Sequence, residues 1–169
     1  MNYMFYSCKS LDSIDLTNFE TQNIEKMEQM FNGCQTLSSI NITHFNIVKV
    51  KDLSNLFEDC SSLTSIDLPN FNTQNINSMS MMFYGCSSLN SINLSKFNTQ
   101  NLINFDFIFN GCSNLRYIDI SSFKNSSFKI ETSLFDGIPS SGTIKVSQNL
   151  EDKIKKVIPP DWIIIKVDT

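Results

Sequence analysis

The 169-residue sequence predicts an α/β repeat, a right-handed solenoid with parallel strands on one face and short helices on the other, and three patterns predict it. The first is a strict 26-residue period: Cys8, Cys34, Cys60, Cys86 and Cys112 recur at that interval. So do Leu11, Leu37, Leu63, Leu89 and Leu115; Ile14, Ile40, Ile66, Ile92 and Ile118; and Phe19, Phe45, Phe71, Phe97 and Phe123. A further column, Phe5, Phe31, Phe57, Phe83, Phe109 and Phe135, runs one step longer. Apolar columns in register mean that each unit is one rung whose core positions are buried by stacking on the next rung. The second pattern is the two-residue alternation that follows each cysteine, and the third is the helical spacing that follows the strand.

Within the third unit, Ile66 and Leu68 alternate with Ser65, Asp67 and Pro69, the period of a short strand with one buried face. Next come Ile76, Met79, Met82 and Phe83 at helical spacing, with Thr73 or Asn75 as N-cap and Gly85 at the left-handed C-terminal position. Gly33, Gly111 and Gly137 recur there, while Ser7 and Asp59 take that place at its first and third occurrences, where a side chain makes the turn costlier.

Five 26-residue units, the first truncated, are expected, followed by a degenerate sixth in which Ile144 and Val146 keep the strand positions, so that the repeats span 1–146. Residues 147–169 read as a helix–strand cap of the same domain. Leu150, Ile154 and Val157 are helically spaced, acids precede lysines as the helix dipole prefers, Pro159 and Pro160 stop the helix, and Trp162 to Val167 form a last strand. The first repeat looks truncated and uncapped, which predicts either an exposed core end or a fragment of a longer protein.

Strand, turn, helix and turn in parallel coils describe the leucine-rich-repeat type of solenoid. The run at 82–101, Met-Phe-Tyr-Gly-Cys-Ser-Ser-Leu-Asn-Ser-Ile-Asn-Leu-Ser-Lys-Phe-Asn-Thr-Gln-Asn, resembles the BspA-like leucine-rich-repeat surface proteins in period, cysteine, glycine and both phenylalanines. The resemblance covers roughly residues 4–146. It implies a surface-displayed, non-catalytic binding or adhesion module of bacteria, mycoplasmas and some parasitic protists, without naming a ligand.

Composition narrows the partners. A net charge of -4, a pI near 4.9 and a single arginine, Arg116, give no basic footprint for nucleic acid or an anionic membrane. The longest apolar run, Trp162 to Ile165, is far short of the roughly 18 residues a membrane-spanning helix needs. The N-terminus carries no signal pattern, and five unpaired thiols point to a reducing compartment, whereas the resemblance points to the cell surface. The chain contains no alanine, which argues against long helices and fits an AT-rich source.

Candidate chemistry divides into three columns. The five cysteines read as a ladder of buried free thiols, because five in a line cannot all pair and a straight column cannot surround a zinc ion. No cofactor is expected. Asp15, Asn41, Asp67, Asn93 and Asp119 form an outward column on the concave strand face, flanked by Ser65, Ser91 and Tyr117. Two readings of it stand: a hydrogen-bonded ladder that solubilises the sheet, and a surface that binds a protein, a glycan or a matrix ligand. Its carboxylates stand about two rungs, roughly 10 Å, apart, too far to share one calcium ion. On the helical face, Ile103 and Phe107 lie four apart and Met81 holds the equivalent place one rung earlier, a candidate convex apolar patch. Asn41, Asn93 and Asn125 sit in Asn-x-Ser/Thr sequons of the kind an asparagine-rich chain produces by chance. The one histidine, His44, lies in a polar turn column, and no acid–base constellation accompanies it, so catalysis is not expected. The leading expectation is a recognition or adhesion module using the concave face. The alternative is a structural segment that stacks end to end through its first rung.

Overall fold

The computed structural model describes residues 1–68, 71–124 and 128–167. Pro69, which flanks the polar column, and Asn125, in the third sequon, lie outside the described residues.

Four strands form one parallel sheet in sequence order: β1 (Ser91–Asn93), β2 (Tyr117–Ile120), β3 (Thr143–Ser147) and β4 (Ile163–Val167). Their register stacks Ile92, Ile118, Ile144 and Ile164 as partners on the core side. Earlier units follow the same course with sparser pairing: Thr64 N donates to Ser38 O at 3.2 Å and Asn90 N to Thr64 O at 3.3 Å. Strand length has a local cause. Where the column carries Asp or Asn, that side chain accepts the N–H two residues on and bends the chain, as Asn93 does from Ser95 at 2.9 Å and Asp119 from Ser121 at 3.1 Å. Lys145 and Ile165 cannot make that turn, and the strands that contain them run for five residues.

The helix expected in every unit is absent from the described residues; the only α-helix is α1 (Glu151–Ile154), preceded by a 3-10 turn at Gln148–Leu150. In its place stands a train of turns with alternating hydrogen bonds. In the second unit Leu53, Asn55, Phe57 and Asp59 donate their N–H groups to Ser78, Ser80, Met82 and Tyr84 of the third, while Leu56, Glu58 and Cys60 close local turns onto Leu53, Asn55 and Phe57. An α-helix would direct every N–H along its own axis. Here alternate N–H groups reach the neighbouring unit, so each backbone donor is satisfied without a helix. The geometry requires left-handed residues twice per unit. Gly33, Gly85, Gly111 and Gly137 fill one position, with Ser7 and Asp59 at φ 56° in its other two occurrences; Tyr3, Gln29, Asn55, Met81 and Phe107 fill the other at φ 55–60°. Sequence reading finds the first of these positions through its glycines and misses the second.

Thr73 is not an N-cap. It is 1% exposed, and its hydroxyl accepts from Asn98 N at 2.7 Å and donates to Asn98 O at 3.0 Å, bridging two units inside the protein. Asn75 likewise serves a corner, its Nδ2 donating to Val48 O at 2.7 Å.

The core is a stack of layers. Six phenylalanines, Phe5, Phe31, Phe57, Phe83, Phe109 and Phe135, form one file with centroids 5.4 to 6.4 Å apart and planes within 16° of parallel. The cysteine column runs alongside it. At the C-terminal end Leu150, Ile154, Ile158 and Trp162 are buried, and Trp162 Nε1 donates to Pro139 O at 2.9 Å.

Candidate binding face

The sheet turns Ile92, Ile118 and Ile144 inward, so the residues between them face out. Two rows result. One holds Ser91, Tyr117, Thr143 and Ile163; the next holds Asn93, Asp119, Lys145 and Ile165. Asp15, Asn41, Ser65 and Asp67 occupy the equivalent positions of the earlier units and are exposed, as is Asn93, while Ser91 and Tyr117 are half-buried.

The Asx side chains of this face are held in place by their own chain. Asp15 Oδ1 accepts from Thr17 N at 2.9 Å and Thr17 Oγ1 at 2.6 Å, and these bonds hold its carboxyl below the usual range. Asn41 Oδ1 accepts from Thr43 Oγ1 at 2.8 Å. The bonds run within a unit, so the column is a series of separate Asx turns. Asp119 departs from the exposed role expected of it: it is only 6% exposed, and its carboxylate accepts from Ser121 Oγ at 2.6 Å and Tyr117 OH at 3.4 Å. The Tyr117 hydroxyl reaches it from a position where earlier units have serine.

Sequence reading stopped one row short. Lys145 and Thr143 lie one 26-residue step beyond Asp119 and Tyr117 and were within reach of the same column arithmetic. Ile163 and Ile165 were not, because β4 pairs with β3 at an offset of 20 residues (163 − 143), which breaks the period.

The other columns settle elsewhere. Cys34, Cys60, Cys86 and Cys112 are buried free thiols donating to the carbonyls of Phe5, Phe31, Phe57 and Phe83 at 3.0 to 3.2 Å. Burial pushes Cys34 up to about 11 and Cys112 up to about 12, with the neighbouring Cys8 thiol adding to the rise at Cys34. Cys60 and Cys86 are raised for the same reason. Cys8 is half-exposed. Ile103 is 79% exposed, whereas Met81 and Phe107 are half-buried at left-handed turn positions, so the helical spacing that grouped the three loses its helix. His44 Nε2 bonds Leu16 O at 3.0 Å and its ring meets Phe45 edge-on. Among the described residues no group of three or more His, Cys, Asp or Glu side chains could hold a metal ion, and no helix is long and apolar enough to cross a membrane.

A protein-family model described as "Mycoplasma protein of unknown function, DUF285" matches residues 1–123 and, overlapping them, 52–152. No curated protein and no solved structure matches the chain.

Proposed function

The chain belongs to the DUF285 family, and from that premise we propose that it is a non-enzymatic interaction or adhesion module that presents its strand face to a protein or surface glycan. The architecture we infer behind this role is a right-handed leucine-rich-repeat-type solenoid of the BspA-like kind, displayed at a cell surface. The stacked phenylalanine file and the backbone bonds between residues about 26 apart support that architecture.

One observation carries the functional reading. Parallel sheets ordinarily have both faces covered, yet the outer face of this one is open at both ends, with Asn93 exposed, Ile163 63% exposed and Ile165 40% exposed, around the buried Asp119. An open, laterally rigid face of small polar and aliphatic groups suits recognition. Four of the five thiols face the core, His44 bonds a carbonyl, and Asp119 bonds Ser121.

The test is binding of the purified chain to an array of matrix proteins and glycans, compared with the double variant Asp67→Lys, Asn93→Lys. Both positions are exposed, so the fold should tolerate the changes. Loss of at least about tenfold in affinity for a captured partner is the expected result. Unchanged affinity overturns the assignment of this face.

A second reading, stacking through the first unit, is favoured by Tyr3, Met4 and Tyr6, which are 53%, 49% and 49% exposed beside the half-buried Phe5.

A further inference from the structure

We propose that the C-terminal part of the strand face, formed by Tyr117, Thr143, Lys145, Ile163 and Ile165, docks an extended acidic segment of another protein that carries aliphatic side chains. The proposal rests on the strand-face reading and names both its subsite and its partner.

Chemistry changes abruptly along the face. Up to β1 its rows present serine, aspartate and asparagine; from β2 onward an aromatic ring, a lysine and two isoleucines join Thr143 and the buried Asp119. Ile163 and Ile165 are two of the few large apolar side chains exposed among the described residues, and they stand side by side in alternate positions of one strand. Alternate positions are about 6.8 Å apart, the spacing at which an extended partner strand places its own alternate side chains. β4 is also the last strand of the sheet among the described residues, so its outer edge can offer main-chain hydrogen bonds to the same segment.

Charge selects the partner. The Lys145 ammonium lies 5.8 Å from the centroid of the Tyr117 ring and makes no salt bridge among the described residues. Its register neighbour Asp119 accepts instead from Ser121 and Tyr117. Lys145 is therefore a cation without an ion pair among the described residues, in register with Ile165, in a chain whose net charge is -4. A partner with acids beside aliphatic residues suits both Lys145 and the isoleucine pair; a basic one would meet repulsion at Lys145.

The probe is a short fluorescein-labelled peptide alternating valine with glutamate, titrated by anisotropy, with the same peptide carrying lysine for glutamate as control. The acidic peptide should bind, the basic one should not, and salt should weaken binding. Lys145→Glu and Ile163→Asp, both at positions that leave the core untouched, should each cost at least about tenfold in affinity, with unchanged thermal melting. Absence of binding, or binding that neither variant weakens, overturns the proposal. If Asp67→Lys abolishes binding while Lys145→Glu does not, the subsite is wrong and the strand-face reading stands. If none of the three substitutions matters, the strand-face reading fails with it. Binding that responds to Lys145→Glu but not to Ile163→Asp, and is matched by heparin, marks an unspecific polyanion site and also overturns it.

Discussion

The thiol of Cys60 donates to the carbonyl of Phe31 at 3.1 Å, across 29 residues, and the same bond joins Cys86 to Phe57 and Cys112 to Phe83. Each cysteine thus satisfies a carbonyl of the preceding unit while filling the core as a small apolar group. Thiol reagents at mild alkaline pH should label Cys8 rapidly and the four buried cysteines only after denaturant is added. Rapid labelling of all five in the native protein would show that the ladder opens.

The raised thiols set a pH dependence. From an ordinary value of 9.0, Cys34 is pushed up to about 11 and Cys112 up to about 12. Below pH 9.0 both folded and unfolded thiols are protonated and the contribution is complete. Above it the unfolded chain ionises first, so stability should fall as pH rises towards about 11 and about 12. Urea midpoints across this window should decline less steeply in the double variant Cys34→Ser, Cys112→Ser; an identical slope would remove the thiols as the cause.

Phe57 is fully buried in the middle of the file, 5.6 Å from Phe31 and 5.8 Å from Phe83. Phe57→Ala opens a cavity that rigid neighbours on both sides cannot close, and should cost about 3–5 kcal/mol by chemical denaturation. Phe5→Ala, at the half-buried end of the file, should cost less.

Gly142 leaves room for Trp162. A Cβ there would stand 2.7 Å from Arg116 O and 2.7 Å from the Trp162 ring. Gly142→Ala should therefore cost about 1–3 kcal/mol by overpacking and shift tryptophan fluorescence, since this is the only tryptophan in the chain.

Asp67 and Asp119 share one column but are not equivalent. Asp67→Lys, at an exposed position, should leave the melting temperature within about a degree or two. Asp119→Lys removes the acceptor of Ser121 and Tyr117 at a buried position and should lower stability by about 2–4 kcal/mol. Equal effects in calorimetry would contradict the burial of Asp119.

The second reading of function is decided by molar mass. Light scattering over a wide concentration range should give a monomer near 19.3 kDa. Growth with concentration that Met4→Ser and Tyr6→Ser suppress would instead make stacking the role.

Sequence periodicity is a strong guide to which residues share a column, because a side chain that stacks on its own kind every 26 residues must repeat to be buried. The phenylalanine file, the cysteine ladder, the left-handed glycines and the strand positions of Ile144 and Val146 were legible for that reason. Helical spacing misled at Met79, Met82 and Phe83, since the same inward pattern is produced by a turn train whose alternate N–H groups bond the next unit. That choice rests on a neighbour's carbonyls, which no local pattern records. The burial of Asp119 under Tyr117 and the arrival of Ile163 and Ile165 beside Thr143 and Lys145 depend likewise on contacts made only after the chain has coiled. Repetition is written along the chain because burial demands it, whereas backbone pairing and the chemistry of the open face arise between units.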